Sequence, residues 1–130
     1  MVMCINFIGE IISKTVKVGV IVFPGSNCDR DMFHVLTDVF HLNTQYFWHE
    51  KSLPDNIDAV ILPGGFSYGD RLRAGVIAAN SPIITDVKKL ANKGIPILGV
   101  CNGFQILAVS YTHLRAHETD SYLVCRLLLE

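Results

Sequence analysis

The feature that most constrains this chain is a recurrence. Short, continuous, β-branched apolar runs are each stopped by glycine or proline and followed by a segment with helical spacing. Val18-Gly19-Val20-Ile21-Val22-Phe23 is the first run, and Pro24-Gly25-Ser26-Asn27 ends it. Ala59-Val60-Ile61-Leu62, stopped by Pro63-Gly64-Gly65, and Pro96-Ile97-Leu98-Gly99-Val100 have the same form. Runs without polar alternation mark strands buried on both faces. Thr44 to His49, led by Tyr46, Phe47 and Trp48, reads as a further strand. Between the strands, Asp29 and Asp31 load negative charge into a first helical turn, where the helix dipole favours it. Met32, Val35, Leu36, Val39 and Phe40 follow at helical spacing. A helix is predicted from Arg71 to Ala79. Another is predicted from about Pro82 to Asn92, with proline at its start, Ile83, Val87, Leu90 and Ala91 on one face, and Gly94 just past its end.

Strands and helices alternating at these lengths predict an α/β domain, a mostly parallel sheet with helices on both faces. In open sheets of this kind ligands gather at the carboxyl ends of the strands. Three loops satisfy that rule: Pro24 to Asn27, Pro63 to Asp70, and Gly99 to Gly103.

Composition narrows the function classes. The 130 residues carry 11 Lys+Arg against 12 Asp+Glu, a net charge of -1, which argues against a polybasic nucleic-acid arm. Half the residues are hydrophobic and 18% are charged, so a packed domain is expected rather than disorder. No apolar run approaches the ~18 residues of a membrane span. The opening segment lacks a basic start and a small-residue cleavage site, so no secretory signal is expected. Cys4, Cys28, Cys101 and Cys125 are spaced too irregularly for a zinc site or a disulfide framework. These bounds predict a cytoplasmic domain with neither nucleic acid nor membrane as partner.

Gly99-Val100-Cys101-Asn102-Gly103 carries the most chemical information. It has the form of a nucleophile elbow, glycine-x-nucleophile-x-glycine, with cysteine in place of serine. Such a turn sets the sulfur at a helix N-terminus, whose partial positive charge complements an anionic nucleophile. It also leaves the Asn102 peptide N–H available to an oxyanion. The bland alternative is a structural cysteine at a glycine-flanked turn, and five residues alone do not separate the two. Pro63 to Asp70 is the natural partner, because adjacent glycines let the backbone approach a ligand and turn an N–H inward. Gly65 would be the second oxyanion donor. A phosphate-binding loop fits worse, since no Gly-Lys-Ser/Thr ending and no Gly-x-Gly-x-x-Gly follows the first strand. Arg71 and Arg73 read as solvated. His34, His41 and His49 read as surface or satisfied core, and Cys28 as a residue near a helix start.

Three segments in order, Phe23 to Asp31, Leu62 to Asp70 and Gly99 to Leu107, resemble the glutaminase subunits of phosphoribosylformylglycinamidine synthase, which are class I glutamine amidotransferases. The resemblance covers about Val16 to Leu107 and implies a flavodoxin-like α/β fold, here C-terminally truncated. It implies that Cys101 attacks the side-chain amide of glutamine, that Gly65 and Asn102 supply the oxyanion hole, and that Gln105 helps hold the glutamine. It implies no cofactor or metal in this subunit. The partners implied are glutamine, a synthetase subunit that uses ATP and Mg, and a small accessory subunit.

The family's catalytic histidine and glutamate lie beyond the stretch that matches. Residues 108–130 look instead like a translated sequencing-library adapter. Val109 to Leu114 resembles a transposon end, Leu114 to Thr119 a primer, Asp120 to Tyr122 an index, and Leu123 to Glu130 the outer adapter. His113 and His117, four apart with Glu118 adjacent, therefore carry little weight as metal ligands. Without residues 108–130 the chain has 9 basic and 9 acidic residues, so the charge argument stands. Residues 1–15 precede the family's usual start and are expected to be an extension or a mis-called start, leaving 16–107 as the amidotransferase segment. Two alternatives remain: an inactive flavodoxin-like fragment or binding module, and another cysteine hydrolase on a related sheet.

Overall fold

A computed structural model of the chain describes residues 16–110. Its centre is a four-stranded sheet: β1 (Lys17–Val22), β2 (Asn43–Trp48), β3 (Ala59–Leu62) and β4 (Ile97–Gly99). The strands are all parallel and lie in the order β2-β1-β3-β4. That order is the flavodoxin-like one, and the chain reverses its direction of winding between β1 and β3. The loops leaving those two strands therefore sit side by side at the place where such folds bind ligands.

Alternation along the central strands divides the core. Ile21, Phe23, Val60 and Leu62 face one layer, where Ile83, Ile84, Val87 and Leu90 of α3 (Pro82–Asn92) and Ile106 and Leu107 of α4 (Asn102–Ser110) close over them. Val18, Val20 and Ile61 face the other side. There they meet Met32 of α1 (Asp29–His34) and Leu36 of the π-helical turn Val35–Val39 that extends it. The wide turn is closed by the Phe40 N–H donating to the Val35 carbonyl at 3.0 Å. Helices thus cover both faces, as the alternation of elements predicts.

Helix α3 keeps its predicted bounds because both ends are encoded. Proline opens it, and past its end the Gly94 N–H donates to Ala91 and the Ile95 N–H to Leu90. Gly94 sits at φ +86° to make that closure, the left-handed cap that glycine adopts without a Cβ penalty.

Two expectations are corrected. The helix expected from Arg71 begins only at Val76, as the four-residue α2 (Val76–Ala79). Leu72 at φ +67° and Gly75 at φ +78° break any earlier helical path. Strand β4 is half-buried rather than fully covered, since it forms one edge of the described sheet. Strand β2 forms the other edge, with Tyr46 and Trp48 exposed. Helix α4 runs on to Ser110. Residues 1–15 and 111–130, including His113, His117 and Glu118, lie outside the described residues. Among the described residues no helix is long and apolar enough to cross a membrane.

Candidate active site

The elbow forms where the sequence places it, between β4 and α4. The Val100 N–H donates to the Leu62 carbonyl at 3.0 Å, which holds the turn against the end of β3. Cys101 then takes φ +50°, the left-handed region that side chains enter at a cost, and its side chain is exposed. The Gly103 and Gln105 N–H groups donate back to the Val100 and Cys101 carbonyls, at 2.9 and 3.1 Å, and start α4. Gly103 is required by contact: a Cβ there would lie 2.5 Å from the Leu62 carbonyl carbon and nearer still to its oxygen. The absence of a side chain is what lets the helix start press onto β3 and hold the sulfur above the sheet.

The glycine loop lies directly against this turn. A Cβ built on Gly64 would come 3.4 Å from Cys101 Cβ. Gly65 takes φ +145°, and a Cβ there would strike the Asn27 nitrogen at 2.5 Å. The first loop braces it. Ser26 and Gly65 form an isolated antiparallel bridge, with the Asn27 N–H donating to Gly64 at 3.4 Å and the Phe66 N–H to Gly25 at 3.0 Å. No acceptor among the described residues takes the Gly65 or Asn102 N–H. The fold thus brings Cys101, Gly65 and Asn102 to one place.

The side chain of Asn102 was not a sequence-level candidate, yet it is 3% exposed and ties three groups together. Its Oδ1 accepts from the Ser67 N–H at 3.1 Å. Its Nδ2 donates to Gln105 Oε1 at 3.1 Å and, at a long 3.4 Å, to Asp70 Oδ1. Gln105 itself is exposed beside Cys101. Tyr68 stands between the two loop residues Ser67 and Asp70, and its hydroxyl and His49 Nδ1 are 3.1 Å apart. His49 is buried against Phe23, Trp48 and Tyr68. It is a satisfied core histidine, one of the two readings open for it from sequence.

Cys28 is nearer the site than its sequence position implied. It precedes α1, and its Sγ lies 3.5 Å from the position a Gly64 Cβ would occupy, the same point that Cys101 Cβ approaches. No sequence signal pairs the two cysteines; the meeting depends on β1 and β4 both flanking β3. Arg71 and Arg73 are exposed, as expected. Among the described residues no three His, Cys, Asp or Glu side chains gather as a metal site.

A cysteine elbow at the carboxyl ends of a parallel sheet, faced by a glycine loop, is the arrangement of a glutamine amidotransferase. The family model described as a CobB/CobQ-like glutamine amidotransferase domain matches residues 15–123, and the chain belongs to that family. Among its relatives, the chain is 48% identical over 106 residues to the phosphoribosylformylglycinamidine synthase subunit PurQ of Methanosarcina barkeri, covering 82% of this chain and 46% of that one. It is 54% identical over 93 residues to the subunit of the same name from Prochlorococcus marinus, covering 72% of this chain and 42% of that one. Among solved structures it resembles PurLQS from Thermotoga maritima at a TM-score of 0.70 and 42% identity, over 75% of this chain and 45% of that chain. The chain therefore spans less than half the length of the relatives it matches.

Proposed function

We propose that this chain is the nucleophile-bearing part of a glutaminase subunit that supplies ammonia for formylglycinamidine ribonucleotide synthesis in purine biosynthesis. The observation that carries the proposal is the placement of Cys101. An exposed sulfur rides a left-handed elbow at the start of α4, against a glycine loop whose Gly65 N–H is uncommitted among the described residues.

The chemistry follows from that placement. The Cys101 sulfur adds to the amide carbon of glutamine, and the carbonyl oxygen takes the negative charge of the tetrahedral intermediate. The Gly65 and Asn102 N–H groups stabilise that oxygen, each donor contributing about 3 kcal/mol by the usual cost of losing one. The carbon–nitrogen bond then breaks, the amine leaves as ammonia with a proton from a general acid, and a thioester remains on Cys101. Water hydrolyses the thioester to glutamate and restores the thiol. Gln105 holds the substrate beside the sulfur. The ammonia passes to a synthetase subunit, which uses ATP and Mg to convert the formylglycinamide ribotide to its amidine, with a small accessory subunit in the complex. Phe66 on the glycine loop and Leu72 just past its end, both exposed, supply apolar surface for such a partner. The reading places the protein in the cytoplasm.

The test is covalent labelling of the chain extended to its relatives' full length, using 6-diazo-5-oxo-L-norleucine, an electrophilic glutamine analogue. The expected result is one adduct on Cys101, suppressed by glutamine and absent after Cys101→Ala. Labelling indifferent to glutamine would assign the elbow to another cysteine hydrolase.

A further inference from the structure

The proton arithmetic at Asn102 leads from the glycine loop to the substrate-facing residue. A backbone N–H can only donate, so the Asn102 atom 3.1 Å from the Ser67 nitrogen must be the oxygen. An ionised carboxylate can only accept, so the Asn102 atom facing Asp70 must be the nitrogen. Two partners of fixed polarity, on opposite sides of one amide, leave a single orientation for it. The Asn102 nitrogen keeps a second proton, and the group that takes it is the Gln105 side chain at 3.1 Å. Gln105 must then offer its oxygen inward, and its NH2 turns away from the network. Because Asn102 is buried and Gln105 is exposed, that NH2 is the part of the chain of bonds that meets solvent and ligand.

We infer that the Asn102 side chain is a positioning residue that fixes the polarity of Gln105, so that Gln105 presents two N–H donors to a ligand oxygen, a carboxylate or a carbonyl. Its role is separate from that of its own peptide N–H, and the functional consequence rests on the amidotransferase reading. The Asp70 carboxylate and the Ser67 peptide, both on the glycine loop, set the direction from one side; Gln105 expresses it on the other. The arrangement links the geometry of the oxyanion loop to recognition of the substrate, although Ser67 and Asp70 stand three residues apart on that loop and neither is on α4.

The test exchanges the polarity without removing the network. In Asn102→Asp the new carboxylate still accepts from the Ser67 N–H but repels Asp70 and the Gln105 oxygen. Adding Asp70→Asn restores a donor opposite it, leaving Gln105 as the one group forced to flip. In the full-length protein with its synthetase partner, the single variant is expected to lose kcat and raise the glutamine KM. The double variant is expected to recover most of kcat while the KM stays about tenfold high, the effect of an acceptor facing an acceptor. Recovery of both parameters would mean that Asn102 serves packing alone and would overturn the inference.

A readout without turnover separates this inference from the amidotransferase reading. In the chain of 130 residues, the Gln105 side-chain N–H protons should exchange quickly with water, and should be protected in the double variant, where they bond the new carboxylate. Equal exchange in both overturns the inference whatever the enzyme activity. Gln105→Glu guards against a double variant that fails to fold. Its carboxylate accepts the Asn102 proton, so the melting temperature should hold within about 2 °C. A larger fall would mean that Gln105 had been donating inward, and the inference would fail.

Discussion

Replacing Gly103 by alanine sets two physical effects against each other. Gly103 lies in the first turn of α4, and glycine in a helix costs about 1 kcal/mol relative to alanine, so propensity alone makes Gly103→Ala stabilising. Steric contact opposes that gain. The added Cβ would sit 2.5 Å from the Leu62 carbonyl carbon, where real Cβ atoms stay beyond 3.0 Å, so the helix start must retreat by more than half an ångström. Both offending atoms are backbone of the fully buried Leu62 in β3, and neither can rotate aside. Overpacking of that kind costs about 3 kcal/mol at the rigid end of its range, leaving a net loss of about 2 kcal/mol after the propensity gain. Retreat of α4 would also loosen Ile106 and Leu107 from the core. Gly94→Ala is the control, because its Cβ would meet nothing within 4 Å and only φ +86° opposes it. That change should cost about 1 kcal/mol. Urea unfolding followed by circular dichroism ranks the two variants. A neutral or stabilised Gly103→Ala would refute the claim that the elbow is held by direct contact with β3.

Three further outcomes follow from the same structure. Ser67 is buried and its hydroxyl has no hydrogen-bond partner among the described residues, so Ser67→Ala should raise stability by about 1 kcal/mol in urea titrations; a loss of that size would show the hydroxyl is satisfied. Asp55 accepts from Lys93 Nζ at 2.9 Å, and that hydrogen bond and charge hold its carboxyl below the ordinary value of 3.8. Its small contribution is therefore present above the ordinary carboxylate value and fades as pH falls through the lowered one, and NMR titration of Lys93→Gln should show Asp55 moving back up. The chain of 130 residues should release ammonia from glutamine negligibly, since it matches less than half of its relatives; robust turnover abolished by Cys101→Ala would contradict this.

Much of the site was legible because its parts are local. The left-handed elbow at Cys101 and the glycine loop at Gly65 are both written as glycine spacing at the end of an apolar run, and backbone sterics act over a few residues. Helix α3 was legible to the residue for the same reason, with proline at one end and a glycine cap at the other. The stretch from Arg71 to Gly75 was not. Its apolar and basic residues are compatible with a helix, but Leu72 and Gly75 adopt left-handed angles that local propensity does not specify.

What the sequence determined alone is the order of elements, the parallel sheet and the residue that bears the sulfur. Each is set by short-range periodicity and turn chemistry. Only the tertiary structure decided what surrounds that sulfur. Strand order places β1 and β4 on either side of β3, and this brings Cys28 and Cys101 to the same glycine. It also sets Asn102 opposite Ser67, 35 residues away, and Asp70, 32 residues away. Such pairings depend on which hydrogen-bonding groups become buried together, and a buried amide has no periodicity to announce its partners.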